Sequence, residues 1–186
     1  MFSLLLPALL MIAGADAGVV DTLPDDPVLR TLMAGDAARA RGDHRALLED
    51  AQLLRLLGAK PADGQDDLVT AWTQEAQSHG VTRSRLNFRG RALGPAYRRG
   101  SIGAGASMTV RQLFLAGQRA QISIAPTHKA SHLSVRVLGT DGNTLCAKPV
   151  NGAQANCAWL PLFTDRYDIV IENGGAATEA FYMVVR

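Results

Sequence analysis

Among the side chains able to do chemistry, His128 and His132 form the one close histidine pair, four positions apart around Lys129. On a helix that spacing aims both rings at one metal ion. Here it falls on a turn entering a strand, with no carboxylate or thiol beside it in sequence, so both residues read as surface histidines. His44 and His79 fall at helix ends, where solvated side chains are ordinary. Ser101 sits in Gly100-Ser101-Ile102-Gly103, a bending loop that lacks the strand-to-helix Gly-x-Ser-x-Gly setting of an activated serine. Asp165, Asp168 and Glu172 lack the oxygen-rich spacing of a calcium loop, and Gly103-Ala104-Gly105 is followed by no Lys-Ser/Thr that would make it a phosphate cradle. No catalytic residue, metal site or cofactor is therefore expected.

Cys146 and Cys157 are the two cysteines, with ten residues between them, at the near ends of two expected strands. A hairpin would bring their Cα atoms within the roughly 4.4 to 6.8 Å that a disulfide needs. A metal site would need further ligands, and a redox site usually shows Cys-x-x-Cys. A structural disulfide is expected, stabilising the fold by about 2 to 3 kcal/mol.

Charge is segregated along the chain. From Ala76 to Thr140 there is no Asp or Glu, yet ten basic residues occur there, Arg89, Arg91, Arg98 and Arg99 among them. Residues 18–75 carry eleven acidic against six basic residues. One reading is that these four arginines meet an anionic surface such as lipid head groups or an acidic envelope polymer. The other, favoured here, is that the basic entry docks on the chain's own acidic helices. Nucleic acid is not expected, because the interleaved aromatics are too few for a stacking platform.

These residues need elements to hold them. Residues 1–17 carry an apolar run followed by Ala13-Gly14-Ala15-Asp16-Ala17, which suits signal-peptidase cleavage and implies export. No segment is long and apolar enough to span a bilayer. Residues 18–81 are read as a small helical domain. Asp26-Pro27 opens a helix reaching about Arg41, with Leu29, Met33, Ala37 and Ala40 facing inward. Asp43 caps a second helix carrying Leu47, Ala51 and Leu54, and a third runs from Asp66 or Asp67 to His79 with Val69, Trp72 and Ala76 inward. The Ala-x-Ala-x-Gly-Asp turn at Ala38 to Asp43 gives residues 27–61 a loose resemblance to one tetratricopeptide unit, which cannot bury its own apolar face. Residues 82–107 form an Arg/Gly-rich connector and entry to a sandwich.

From 108 to 186, period-two segments such as Leu133-Val135-Val137 and Tyr167-Ile169-Ile171 alternate with Gly- and Asn-containing turns. The fold class that follows is α+β, with helices preceding an antiparallel, jelly-roll-like β-sandwich. Leu93-Gly94-Pro95-Ala96-Tyr97, Leu113 to Gly117, Leu133 to Val137 before Asp141-Gly142, Arg166 to Asn173 and Phe181 to Val185 together resemble the bacterial pre-peptidase C-terminal domain. The resemblance covers about residues 92–186. It implies an exported β-sandwich that assists folding, secretion or attachment to polymers. The expected function is a non-catalytic binding or accessory module of the envelope, whose partner is a protein or an anionic polymer or lipid head group. The rivals are a hydrolase or metal-dependent enzyme seeded by His128, His132 and a distant carboxylate, and an interaction adaptor that uses the helices.

Overall fold

Among the described residues three helices each start at an aspartate. Asp26 accepts from the backbone N–H of Val28 and Leu29 and opens α1 (Pro27–Ala40), with proline at its first turn. Asp43 accepts from Ala46 N–H and opens α2 (His44–Leu56); Asp67 accepts from Thr70 N–H and opens α3 (Leu68–Ser78). Gly42, Gly58 and Gly80, with φ of 69°, 67° and 78°, supply the left-handed residue that closes each helix. The structure, a computed structural model, describes residues 23–82, 94–128, 130–150 and 152–186. The expected export segment, Arg89, Arg91 and Lys129 lie outside the described residues.

The inward face of α1 differs from the expected one. Val28, Leu29, Thr31, Leu32, Gly35 and Ala38 are buried, whereas Ala37 and Ala40 are exposed and Met33 is only partly covered. The reason is Gly35: a Cβ there would lie 2.2 Å from Trp72, so the indole fills the notch that glycine leaves and sets the rotation of the helix. For α2 and α3 the expected residues are the buried ones, Leu47, Ala51 and Leu54 in the first and Val69, Trp72 and Ala76 in the second.

Among the described residues nine strands follow or interleave. One sheet has the order β1 (Lys60–Pro61), β2 (Ala96–Ile102), β9 (Glu179–Val185), β4 (Ala120–Pro126), β7 (Ala155–Trp159); the other has β3 (Ser107–Phe114), β8 (Asp165–Asn173), β5 (Leu133–Leu138), β6 (Thr144–Pro149). Every pairing is antiparallel except β1 with β2. The chain is thus α+β with a β-sandwich. β2 starts at Ala96, within residues 82–107 read as connector and sandwich entry, and pairs with β9 along its whole length.

Two cores result. Ile122, Ile124, Val135, Val137, Ile169, Ile171, Phe181 and Met183 fill the space between the sheets. The helices pack on the outer face of the five-stranded sheet, where Tyr97, Ala125, Tyr182 and Val184 join Leu32, Leu47, Leu54 and Trp72 in one cluster. β9 is accordingly buried on both faces, and its sequence from Phe181 to Val184 is a continuous apolar run where alternation would mark a half-exposed strand. The expected tetratricopeptide-like hairpin covers its apolar face with α3 and a sheet, and not with a second repeat.

The disulfide forms between Cys146 and Cys157, with a Cα–Cα distance of 5.9 Å. It does not close a hairpin within one sheet. Cys146 is in β6 and Cys157 in β7, which belong to opposite sheets, so the bond pins the two layers along one side of the sandwich. Among the described residues no helix is long and apolar enough to cross a membrane.

Candidate functional site

Two loops at one end of the sandwich are locked together. The turn between β3 and β4 needs φ of 71° at Gly117, and Gly117 N–H donates to Pro161 O at 2.9 Å while Ala116 N–H donates to Thr164 Oγ1 at 3.0 Å. These bonds join residues 115–119 to residues 160–164, the β7–β8 loop. Beneath them Phe114 meets Trp159 and Tyr167 edge-on, with ring centroids 4.8 and 5.8 Å apart, and gives the loops a stiff aromatic base. On this base the chain leaves large apolar groups in water. Leu162 is 80% exposed, Phe163 77% and Leu160 60%, and Leu113 and Leu115, at the end of β3 and just after it, are about half exposed.

The rim of this tip carries both signs of charge. Arg111 holds Asp168 through two hydrogen bonds of 2.7 and 2.8 Å, which keep that carboxyl below its usual range. A groove of about 410 Å³ beside them is lined by Arg111, Leu138, Thr140, Asp165, Arg166 and Asp168. Of the three acids Asp165, Asp168 and Glu172, Asp168 pairs with Arg111 and Glu172 with Arg136, one on each neighbouring strand, while Asp165 accepts from the backbone N–H of Arg166. Among the described residues no three His, Cys, Asp or Glu side chains come together as metal ligands.

The arginines of β2 turn toward the chain itself. Arg99 lies 3.3 Å from Asp36 of α1 and 5.7 Å from the centroid of the Tyr182 ring, and its backbone N–H donates to Gln65 Oε1 at 2.9 Å. Tyr182, wholly buried, donates its hydroxyl to the same Asp36 at 2.7 Å; burial first, and then the carboxylate, push its phenol well above the ordinary range. Arg98 reaches the Asp63 carbonyl at 3.4 Å. At the far end of the chain Arg186 forms two hydrogen bonds with Asp26, the cap of α1. Burial alone would raise Asp26, but Arg186 and the N–H groups of Leu29 and Val28 outweigh it and hold the carboxyl low. Acidic helices and basic strands therefore meet within the molecule.

Ser101 lines a cleft of about 530 Å³ with Gln65, Asp66 and Arg99, and no histidine shares that lining. The carboxylate that comes near the histidine pair is Glu179, which sequence spacing did not reveal. It accepts from Ser131 Oγ at 2.6 Å and from the backbone N–H of His132 at 2.8 Å. Burial would raise its pKa, yet these bonds hold it below the usual range. The carboxylate grips a main-chain amide and ties down the β4–β5 loop, and among the described residues no hydrogen bond joins it to an imidazole. His44 and His79 stack ring on ring, with centroids 3.7 Å apart, where α2 begins and α3 ends. The tip went unnoticed in the sequence, although its signal is there: Leu160-Pro161-Leu162-Phe163 is an apolar run at a position where turns are ordinarily polar.

No family model matches the chain, and no curated protein matches it. Several solved structures do. A mitogen from Yersinia pseudotuberculosis is similar at 11% identity and a TM-score of 0.43, over 50% of this chain and 84% of its own. The pre-peptidase C-terminal domain of a collagenase from Bacillus anthracis is similar at 14% identity and a TM-score of 0.41, over 49% of this chain and 88% of its own. A periplasmic inhibitor of g-type lysozyme from Aeromonas hydrophila is similar at 14% identity and a TM-score of 0.38, over 54% of this chain and 93% of its own.

Proposed function

We propose that this chain is an exported, non-catalytic binding module that captures a protein in the bacterial envelope through the tip of its β-sandwich. The observation that carries the reading is the apolar group Leu160, Leu162 and Phe163, held out into water on hydrogen-bonded loops over a fixed aromatic base. Apolar side chains on a rigid support, with arginine and aspartate around them, match the composition of a protein-binding patch with a polar rim. A lipid surface fits less well, because Asp141 and Asp165 stand among the basic groups Arg119 and Arg166 of the same end and offset their attraction to anionic head groups. The expected anionic-polymer site at Arg89, Arg91, Arg98 and Arg99 has less to offer, since Arg99 already faces Asp36.

The test is capture from envelope extract by the purified protein, run beside Leu162→Asp/Phe163→Asp and beside Arg98→Ala. Retention that persists at high salt and disappears with the tip variant supports a protein partner. Retention lost at high salt, or lost with Arg98→Ala and kept by the tip variant, assigns the binding to an anionic polymer and refutes the tip.

A further inference from the structure

A β-sandwich has four lateral edges, and the described residues blunt three of them. β1 covers the start of β2, and the Gln65 side chain takes up Arg99 N–H further along. β6 carries Lys148 and Pro149 and a register shift against β5, while the five-residue β7 is bonded to β6 through the disulfide. Lysine, proline, irregular pairing and short length are the usual protections of an exposed edge. Among the described residues β3 has none of them. It is eight residues long, pairs with β8 in unbroken register, and holds no proline or lysine; its one charge, Arg111, is bound to Asp168.

The backbone groups on that edge can be named. Asn173 N–H donates to Ala106 O at 2.9 Å, one step before the pair Ser107 and Glu172, so the even-numbered residues of β3 bond to β8. The N–H and C=O groups of Ser107, Thr109, Arg111 and Leu113 therefore point to the open side. Met108 and Val110 pack against the inter-sheet core yet remain partly exposed there, as expected for a core that ends one strand too soon.

We infer that the open edge of β3 pairs with the β3 edge of a second copy of this chain, in an antiparallel arrangement centred on Val110. In that register Thr109 faces Arg111 of the other copy, Ser107 faces Leu113, and Val110 meets itself, so all four edge-facing residues find hydrogen-bonding partners and side chains stay on matching faces. Centring on Arg111 opposes two guanidinium groups. Centring on Thr109 draws Gly105 into the ladder, and its φ of 64° is not extended. The four-stranded sheets then join as one continuous sheet of two copies; Leu113 enters the ladder, while Leu160, Leu162 and Phe163 of each tip stay outside it.

The register is tested by opposite charges at one exposed site. Sedimentation equilibrium of the purified protein is expected to show a concentration-dependent dimer. Thr109→Lys places a cation opposite Arg111 at two symmetric positions and weakens the dimer about tenfold, whereas Thr109→Glu preserves or tightens it. A structural defect at position 109 would not distinguish the two. In the unmodified protein, amide exchange at Thr109, Arg111 and Leu113 is expected to slow as concentration rises, while Val110 stays protected throughout. A monomer at every concentration, equal behaviour of the two variants, or concentration-independent exchange at those three amides overturns the inference.

Discussion

Replacing Asp36 by alanine tests how the acidic helices are joined to the basic sheet. The carboxylate has two partners, the buried Tyr182 hydroxyl at 2.7 Å and the half-exposed Arg99 guanidinium at 3.3 Å. Losing the first leaves a donor with no acceptor in a residue that water does not reach, at a cost of about 1 to 3 kcal/mol. Losing the second costs less than about 1 kcal/mol, because water screens that pair and solvates the arginine left behind. The sum expected for Asp36→Ala is about 2 to 3 kcal/mol. Tyr182→Phe should cost only about 1 kcal/mol, since Asp36 remains partly exposed and is hydrated when the hydroxyl is gone. In the double variant the buried donor and its acceptor disappear together, so the two effects should fall short of additive by about 1 kcal/mol. Urea unfolding of the four proteins followed by tryptophan fluorescence is a suitable assay, as Trp72 lies in the same cluster. An Asp36→Ala cost below about 0.5 kcal/mol, or strict additivity with Tyr182→Phe, would refute the view that this node couples helices to sandwich.

Three further outcomes follow from the packing and the charges. The Cys146→Ser/Cys157→Ser pair should lower stability by about 3 kcal/mol, measured against the oxidised protein, because the loop it opens spans a sequence separation of 11. Gly35→Ala should destabilise by about 1 to 2 kcal/mol although alanine is the better helix former, since its Cβ would lie 2.2 Å from Trp72; thermal melting decides the sign. Burial, followed by Glu49 and Asp43, pushes Asp50 from its ordinary 3.8 up to about 6. The folded chain thus holds a proton that the unfolded chain has lost between those values, so this group makes stability fall as pH rises from about 4 to 6 and leaves it low above. Asp50→Asn should then stabilise by about 1 kcal/mol at pH 7, discounted for partial exposure, and by nothing below pH 4.

Much of this architecture is local information. Asp26, Asp43 and Asp67 cap helices by reaching their own next turns, and period-two stretches such as Leu133-Val135-Val137 need only one buried face to become strands. The cysteine pair, too, could be anticipated from its number and spacing. What the chain could not declare was which elements share a layer. Alternation within β6 and β7 is the same whether they pair with each other or face each other, and only the folded sandwich makes their disulfide an inter-sheet bond. The face of α1 depended on Trp72, residues distant in sequence from the glycine that receives it. Charge segregation was visible in composition, but the contacts of Arg99 with Asp36 and of Arg186 with Asp26 required the helices to lie on the outer face of one sheet. The tip and the open edge of β3 are likewise properties of neighbours, or of their lack among the described residues, and exposure is decided by everything the chain packs elsewhere.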